Sequence, residues 1–312
     1  MKLLSYSKDG ITSCGVFIGN EIIDIPSNFK GPNAPKTLVD VLRQGTGDLD
    51  KLTELSKTSA SRISINSVKL LAPVPKPDKV IALAGNYSEH IKEAGLSLGL
   101  SDSPRQTTVP RPFLMPPSVV IGDGDIIAWP AYSEQIDYEL ELAVVIGKTA
   151  KCVTIKDAPN YIAGYTIAND VSARSVTFKT NRAVRPWDEF YDWLNGKWSD
   201  GFLPMGPYLV TADEIENVQN LDMQLTVNGK VRQRANTSQM IYSVTDIVSF
   251  VSHLVTLEPG DVIATGTPSG VAMATGQFLE AGDIIECTIE KLGSLKNTLG
   301  PKPKQFYQPL TG

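Results

Sequence analysis

In the stretch 135–148, QIDYELELAVVIGK, the acids Asp137, Glu139 and Glu141 recur at every second position. That spacing places them on one face of a strand, with Tyr138, Leu140, Leu142, Val144 and Ile146 on the other. Acidic residues are depleted from strands. Carboxylates at i and i+2 stand about 7 Å apart, and their repulsion is about 0.6 kcal/mol in water and about 2.4 kcal/mol at an effective dielectric near 20. Two readings follow. Either this face is wet and the charges cost little, or a hard cation sits among them and takes oxygen ligands. A third carboxylate favours the second reading. In YIAGYTIANDVSARS (161–175) an apolar strand ends at Asn169 and Asp170. An Asp there is ordinarily a turn former. Beside Glu139 and Glu141, however, Asp170 completes an oxygen set suited to Mg2+ or Mn2+.

Other stretches carry weaker signals. NYSEHIKEAG (86–95) sets His90 and Glu93 three residues apart, on one face of a short helix over 88–94. An inert surface His fits that spacing as well as a His oriented by a carboxylate to act as a base. Lys197 lies in an aromatic-rich loop between Trp193 and Trp198. It is either a solvated surface group or an ammonium presented in a dry pocket. ATGTPSGVA (264–272) can aim backbone N–H groups and the Thr267 hydroxyl at an anion. Ser269 and His253 do not suggest a serine hydrolase, because the G-x-S-x-G elbow is missing and His253 falls in an amphipathic helix.

The elements that must hold these residues are mostly strands. Residues 1–30 read as short strands punctuated by Asp9-Gly10 and Gly19-Asn20, and 36–57 as helical. The Pro-rich LLAPVPKPDKV (70–80) marks a boundary, giving a small N-terminal domain over 1–70 and a larger domain over 71–312. Asn228-Gly229 suits a type I′ hairpin turn, and SVTDIVSFVSHLV (243–255) has the apolar stripe of a helix. The mix is β-dominated α+β. It lacks strand–helix alternation, a phosphate loop and a dinucleotide fingerprint.

At 312 residues, with 42% hydrophobic and 20% charged side chains, this is the composition of an ordinary globule. The net charge of −5 argues against a nucleic-acid partner. No apolar run reaches membrane-spanning length, and MKLLSYSKDG lacks the apolar core of a signal peptide. Three cysteines, Cys14, Cys152 and Cys287, leave one unpaired within a monomer, which suggests a reducing, cytoplasmic setting. Two histidines are too few for a His-rich zinc or copper site.

Taken in order, GNYSEH with Glu93, DYELELAVVIGK, GYTIANDVSAR, GKWSDGFLPMGPYLVT, LEPGDVIATGTPSGV and AGDIIECTIE resemble the fumarylacetoacetate hydrolase family over roughly residues 72–295. The resemblance implies a β-roll core of mixed sheets with short helices, assembled as a homodimer. It implies that Glu139, Glu141 and Asp170 ligate Mg2+ or Mn2+, and that His90 and Glu93 form a water-activating dyad on a closing lid. Lys197 would stabilise developing negative charge, and Arg174 and Thr267 would hold a substrate carboxylate, with Tyr87 a further substrate contact. The implied reaction is hydrolytic C–C cleavage of a 2,4-dioxo acid, an acylpyruvate or fumarylpyruvate, through a pyruvate enolate. Decarboxylation of oxaloacetate, isomerisation or decarboxylation of unsaturated oxo-diacids, and a scaffold without turnover are the alternatives. Met115 and Thr177 stand where members often carry Lys and Gln, and 176–195 is longer than in compact members.

Overall fold

A computed structural model describes residues 1–29, 34–44, 46–57, 61–98, 105–176, 178–179, 181–183 and 185–311. Its centre is the strand Leu140–Ile146, buried along its whole length. Leu140, Leu142, Val144 and Ile146 enter one apolar cluster, while Ala143 and Val145 enter another on the opposite face. Both faces are therefore dry, which is why the strand reads as a near-continuous apolar run after its acidic start. Each fully buried Leu, Ile or Val here contributes roughly 1.5–3 kcal/mol.

Around it runs a large mixed sheet. On one side Leu140–Ile146 pairs antiparallel with Ile162–Asn169, then come Leu203–Thr211, Lys2–Lys8, Ile11–Ile18, Glu21–Asp24 and Arg62–Ser64. On the other lie Val262–Ala264, Val80–Leu83 and Pro112–Met115, with Val262–Ala264 and Val80–Leu83 parallel. The sheet thus crosses the division at residue 70. A second sheet orders Lys230–Asn236, Asp222–Val227, Ile284–Ile289, Gly293–Leu299 and Ile126–Ile127. Its hairpin turns at Asn228 and Gly229, both at positive φ (51° and 77°), as a type I′ turn requires. The fold is α+β, built of mixed sheets with short helices, and the sheets are not closed into a barrel.

Several expectations change. The 135–148 stretch is two strands, Gln135–Asp137 and Leu140–Ile146, the first pairing with Ser172–Arg174. The segment before Lys197 is not a loop but the helix Pro186–Asn195. Pro186 in its first turn presets the backbone, and Asp188 and Glu189 complement the N-terminal dipole. The helix at 88–94 extends to Ser88–Leu98. Val244–Leu254 starts at Ser243, whose hydroxyl and Asp246 form a reciprocal capping box. No helix among the described residues is long and apolar enough to cross a membrane.

Candidate active site

The break between the two strands is what gathers the carboxylates. Glu139 lies in it, and its N–H donates to the side-chain carbonyl of Asn169 (2.9 Å), while the N–H of Asp170 donates to the Glu139 carbonyl (2.9 Å). Because Leu140 faces Asn169 in the register, the start of one strand and the end of the other meet at one point. Glu139, Glu141 and Asp170 each bring a carboxylate oxygen to within 4.8 Å of the others, and all three are buried. The wet-face reading is thereby overturned: Glu141 and Asp170 are each 1% exposed.

Two cations offset the acids. Lys197, buried, donates from Nζ to Glu139 Oε2 and to Asp170 Oδ2, each at 2.8 Å. Its placement depends on Gly196, where a Cβ would come within 2.3 Å of the Ala173 carbonyl oxygen. Arg174 Nε donates to Asp137 Oδ2 (3.1 Å), and Nη2 to Glu139 Oε1. Asp137 is itself held by the N–H groups of Ala272 (2.6 Å) and Met273 (3.0 Å). Four buried carboxylates against two cations carry a formal charge of −2 when ionised.

Burial opposes ionisation throughout the cluster, and the neighbours decide each case. Against that burial, the Lys197 ammonium and then Arg174 hold Glu139 down to about 2. Burial pushes Asp170 up to about 6, Lys197 opposing and Glu139 adding. Glu141 is raised well above the carboxylate range by burial and by the charges of Asp170 and Glu139.

A divalent cation fits this set. Glu141 Oε1 and Asp170 Oδ1 are buried oxygens without a hydrogen-bond partner. The donors are all carboxylate oxygens, which suit a hard ion, and +2 balances the residual charge. Glu139, Glu141 and Asp170 could hold it.

His90 and Glu93 sit on the helix Ser88–Leu98, with His90 Nδ1 3.1 Å from Glu93 Oε1. The Gly270 N–H donates to both Glu93 oxygens, at 2.9 and 3.0 Å. Gly270 has φ +101°, and a Cβ there would lie 2.3 Å from the Arg232 carbonyl oxygen, so the turn requires glycine. The same loop serves the carboxylates: the Gly266 N–H donates to Glu141 Oε2 at 2.7 Å. His90, Glu93, Glu139, Asp170, Arg174, Lys197 and Thr267 line one cavity of about 360 Å³.

Tyr87 is not brought there. Its hydroxyl reaches Met223 Sδ (3.3 Å) in the apolar core. Met115 also packs into the core, away from the cavity. Thr177 lies outside the described residues. His253 bonds the Ser249 carbonyl within its own helix (2.8 Å). Sequence reasoning missed Gln233, buried, whose amide spans the Leu140 N–H, Thr267 Oγ1 and the Pro268 carbonyl, each at 2.9 Å. It also missed Phe113 and Phe190, which line the cavity with Trp193.

The family model described as Fumarylacetoacetate (FAA) hydrolase C-terminal matches residues 79–300. The Bos taurus protein named Oxaloacetate tautomerase FAHD2A, mitochondrial, is 38% identical over 281 residues, spanning 89% of this chain and 84% of its own. Two solved structures superpose with TM-scores of 0.75. One is the fumarylacetoacetate hydrolase of Exiguobacterium antarcticum, 33% identical, covering 97% of this chain and 100% of its own. The other is the maleylpyruvate hydrolase of Sphingobium sp. SYK-6 in complex with manganese (II) ion and pyruvate, 29% identical with the same coverage. The cytoplasmic expectation is overturned, since this bovine relative and its human counterpart are mitochondrial by name. The three cysteines are free.

Proposed function

This chain belongs to the fumarylacetoacetate hydrolase family, and on that premise we propose that it moves a proton beside the oxo group of a 2-oxo acid, interconverting enol and keto forms. It is an enzyme of a family that acts on dioxo acids with a metal-associated site. The finer reading rests on one observation: a His–Glu pair and a buried Lys–carboxylate cluster line a single cavity.

Glu93, fixed by Gly270, orients His90 through Nδ1 and leaves Nε2 to exchange a proton. His90 takes a proton from the carbon next to the oxo group. The electron pair moves on to the oxo oxygen, where Lys197 and Arg174 offset the charge; protonation of that oxygen gives the enol, and the reverse gives the ketone. Thr267 and Arg174 hold the carboxylate. A divalent cation at Glu139, Glu141 and Asp170 would supply Lewis-acid polarisation of the oxo acid; Mg2+ and Mn2+ both suit the donors. The relative named for oxaloacetate tautomerisation supports this chemistry ahead of cleavage. A homodimer belongs to the same proposal, and sedimentation velocity tests it.

Cleavage is the second reading, supported by the two relatives named as hydrolases. There His90 would deprotonate water, hydroxide would add to the distal carbonyl, and the C–C bond would break to an acid and a pyruvate fragment that takes up a proton. Following the enol absorbance of oxaloacetate with Mg2+-loaded protein, beside a pyruvate assay on an acylpyruvate, separates the two. We expect accelerated enol decay that His90→Asn reduces at least a hundredfold with Mg2+ still bound. Pyruvate release without enol acceleration would reverse the assignment.

A further inference from the structure

The cavity has two unlike parts. One holds the carboxylate cluster and the dyad. The other is walled by aromatic rings: Phe113 meets Trp193 edge-on, with centroids 4.9 Å apart and planes at 71°, and Phe190 lies nearly parallel to Trp193 at 5.9 Å and 29°. Ile91 and Met273 add apolar surface. Trp193 belongs to both parts, since the Lys197 ammonium stands 5.9 Å from its ring centroid. The aromatic wall therefore begins directly beside the reacting end. Among the described residues, the charged side chains that line the cavity outside the cluster and dyad are Arg111 and Glu189, opposite in sign.

From this we propose that the substrate carries a planar, apolar distal arm about the size of an aryl ring, seated against Phe113, Phe190 and Trp193. The chemical class is an aryl-bearing 2-oxo or 2,4-dioxo acid, and a compact four-carbon diacid leaves the wall uncovered. The proposal rests on the reading that the 2-oxo carboxylate is held at the Lys197 end. Aromatic walls favour ring partners through offset and edge-on contact beyond the area they bury. The cavity's size lies in the range of small-molecule sites, roughly 300–1,000 Å³.

Calorimetric titration of the full chain loaded with Mg2+ tests this with three ligands. Oxalate reports the reacting end alone, oxaloacetate adds a distal carboxylate, and 2,4-dioxo-4-phenylbutanoate adds a ring. We expect the phenyl compound to bind at least tenfold more tightly than oxaloacetate. Trp193→Ala should erase that preference, and Phe190→Leu, at a half-exposed position that does not threaten folding, should cut it several-fold. Phe190→Leu should leave oxalate affinity within about twofold. A phenyl compound that binds no better than oxaloacetate while oxalate still binds overturns this proposal alone. Failure of oxalate to bind with Mg2+ in the unaltered chain overturns the functional reading and this proposal with it.

Discussion

Gln233 donates from Nε2 to Thr267 Oγ1 at 2.9 Å, while its Oε1 accepts the N–H of Leu140, the residue between Glu139 and Glu141. Thr267 is thus an acceptor in this pair, and its own proton is left for an acceptor in the cavity that it lines. A buried amide on the second sheet sets the polarity of a group at the site.

Gln233→Glu keeps the acceptor for Leu140 and replaces the donor with a carboxylate that would take the Thr267 proton. Oxalate should then bind Mg2+-loaded protein about tenfold more weakly, a loss of about 1.4 kcal/mol. Mg2+ affinity should stay within about twofold. Calorimetry reads both, with Thr267→Val as the reference. Weakened binding in Thr267→Val beside normal binding in Gln233→Glu would remove Gln233 from this role.

Lys197→Met removes the cation that bridges Glu139 and Asp170. Leaving buried charge uncompensated costs about 3–5 kcal/mol, so melting in chelator should drop clearly, and added Mg2+ should recover much of the loss. Turnover should fall by about 10²–10³ with Mg2+ present. Equal melting of the variant and the unaltered protein in EDTA would contradict the charge balance drawn for this cluster.

Gly270→Ala forces a side chain into a left-handed position and against the Arg232 carbonyl. The strain costs about 1–3 kcal/mol, and the displaced N–H releases Glu93. Steady-state kinetics should show kcat down about tenfold with oxalate inhibition nearly unchanged, because the metal end of the cavity is left alone. A change confined to KM would mean that Glu93 does not depend on this amide.

How far the sequence reveals the site differs residue by residue. Glu139 and Glu141 stand out because acids at the head of an apolar strand conflict with their surroundings, and Asp170 because it ends the neighbouring strand. Nothing comparable marks Gln233, which lies between Arg232 and Arg234 on a hairpin strand that reads as solvated. The helix Pro186–Asn195 did carry a signal, Pro followed by Asp188 and Glu189, but its aromatic crowding obscured the periodicity. Tyr87 is the converse case: a motif position suggested a substrate contact, and the fold sets its hydroxyl against Met223 in the core, a long-range packing contact that no local pattern reveals. For the fold, the β-dominated mix and the Asn228-Gly229 hairpin were legible, because turn chemistry is local. That Lys2–Lys8 joins Leu203–Thr211 was not, because the pairing spans most of the chain.

Asp246 offers a test by pH. Burial alone would raise its pKa, but Arg105 and the Ser243 cap hold it below the ordinary 3.8, with Arg105 Nη2 at 2.7 Å from Oδ1. A carboxyl that ionises more readily in the folded state stabilises it fully above that ordinary value, and the benefit fades as pH falls through the lower folded value. Asp246→Asn should therefore cost about 1–3 kcal/mol at pH 7. The gap from the unaltered protein should narrow below about pH 4 in denaturant titrations. A gap independent of pH would point to packing instead.

The pairing of Lys2–Lys8 with Leu203–Thr211 limits how the chain can be shortened. A fragment trimmed to residue 71, close to where the family match begins, would strip a neighbour from Leu203–Thr211. Leu209, which shares an apolar cluster with Leu3, would lose its cover. Bare backbone amides and carbonyls along that margin would recruit strands from other molecules, so such a piece should clump when produced alone and regain solubility when residues 1–70 are supplied.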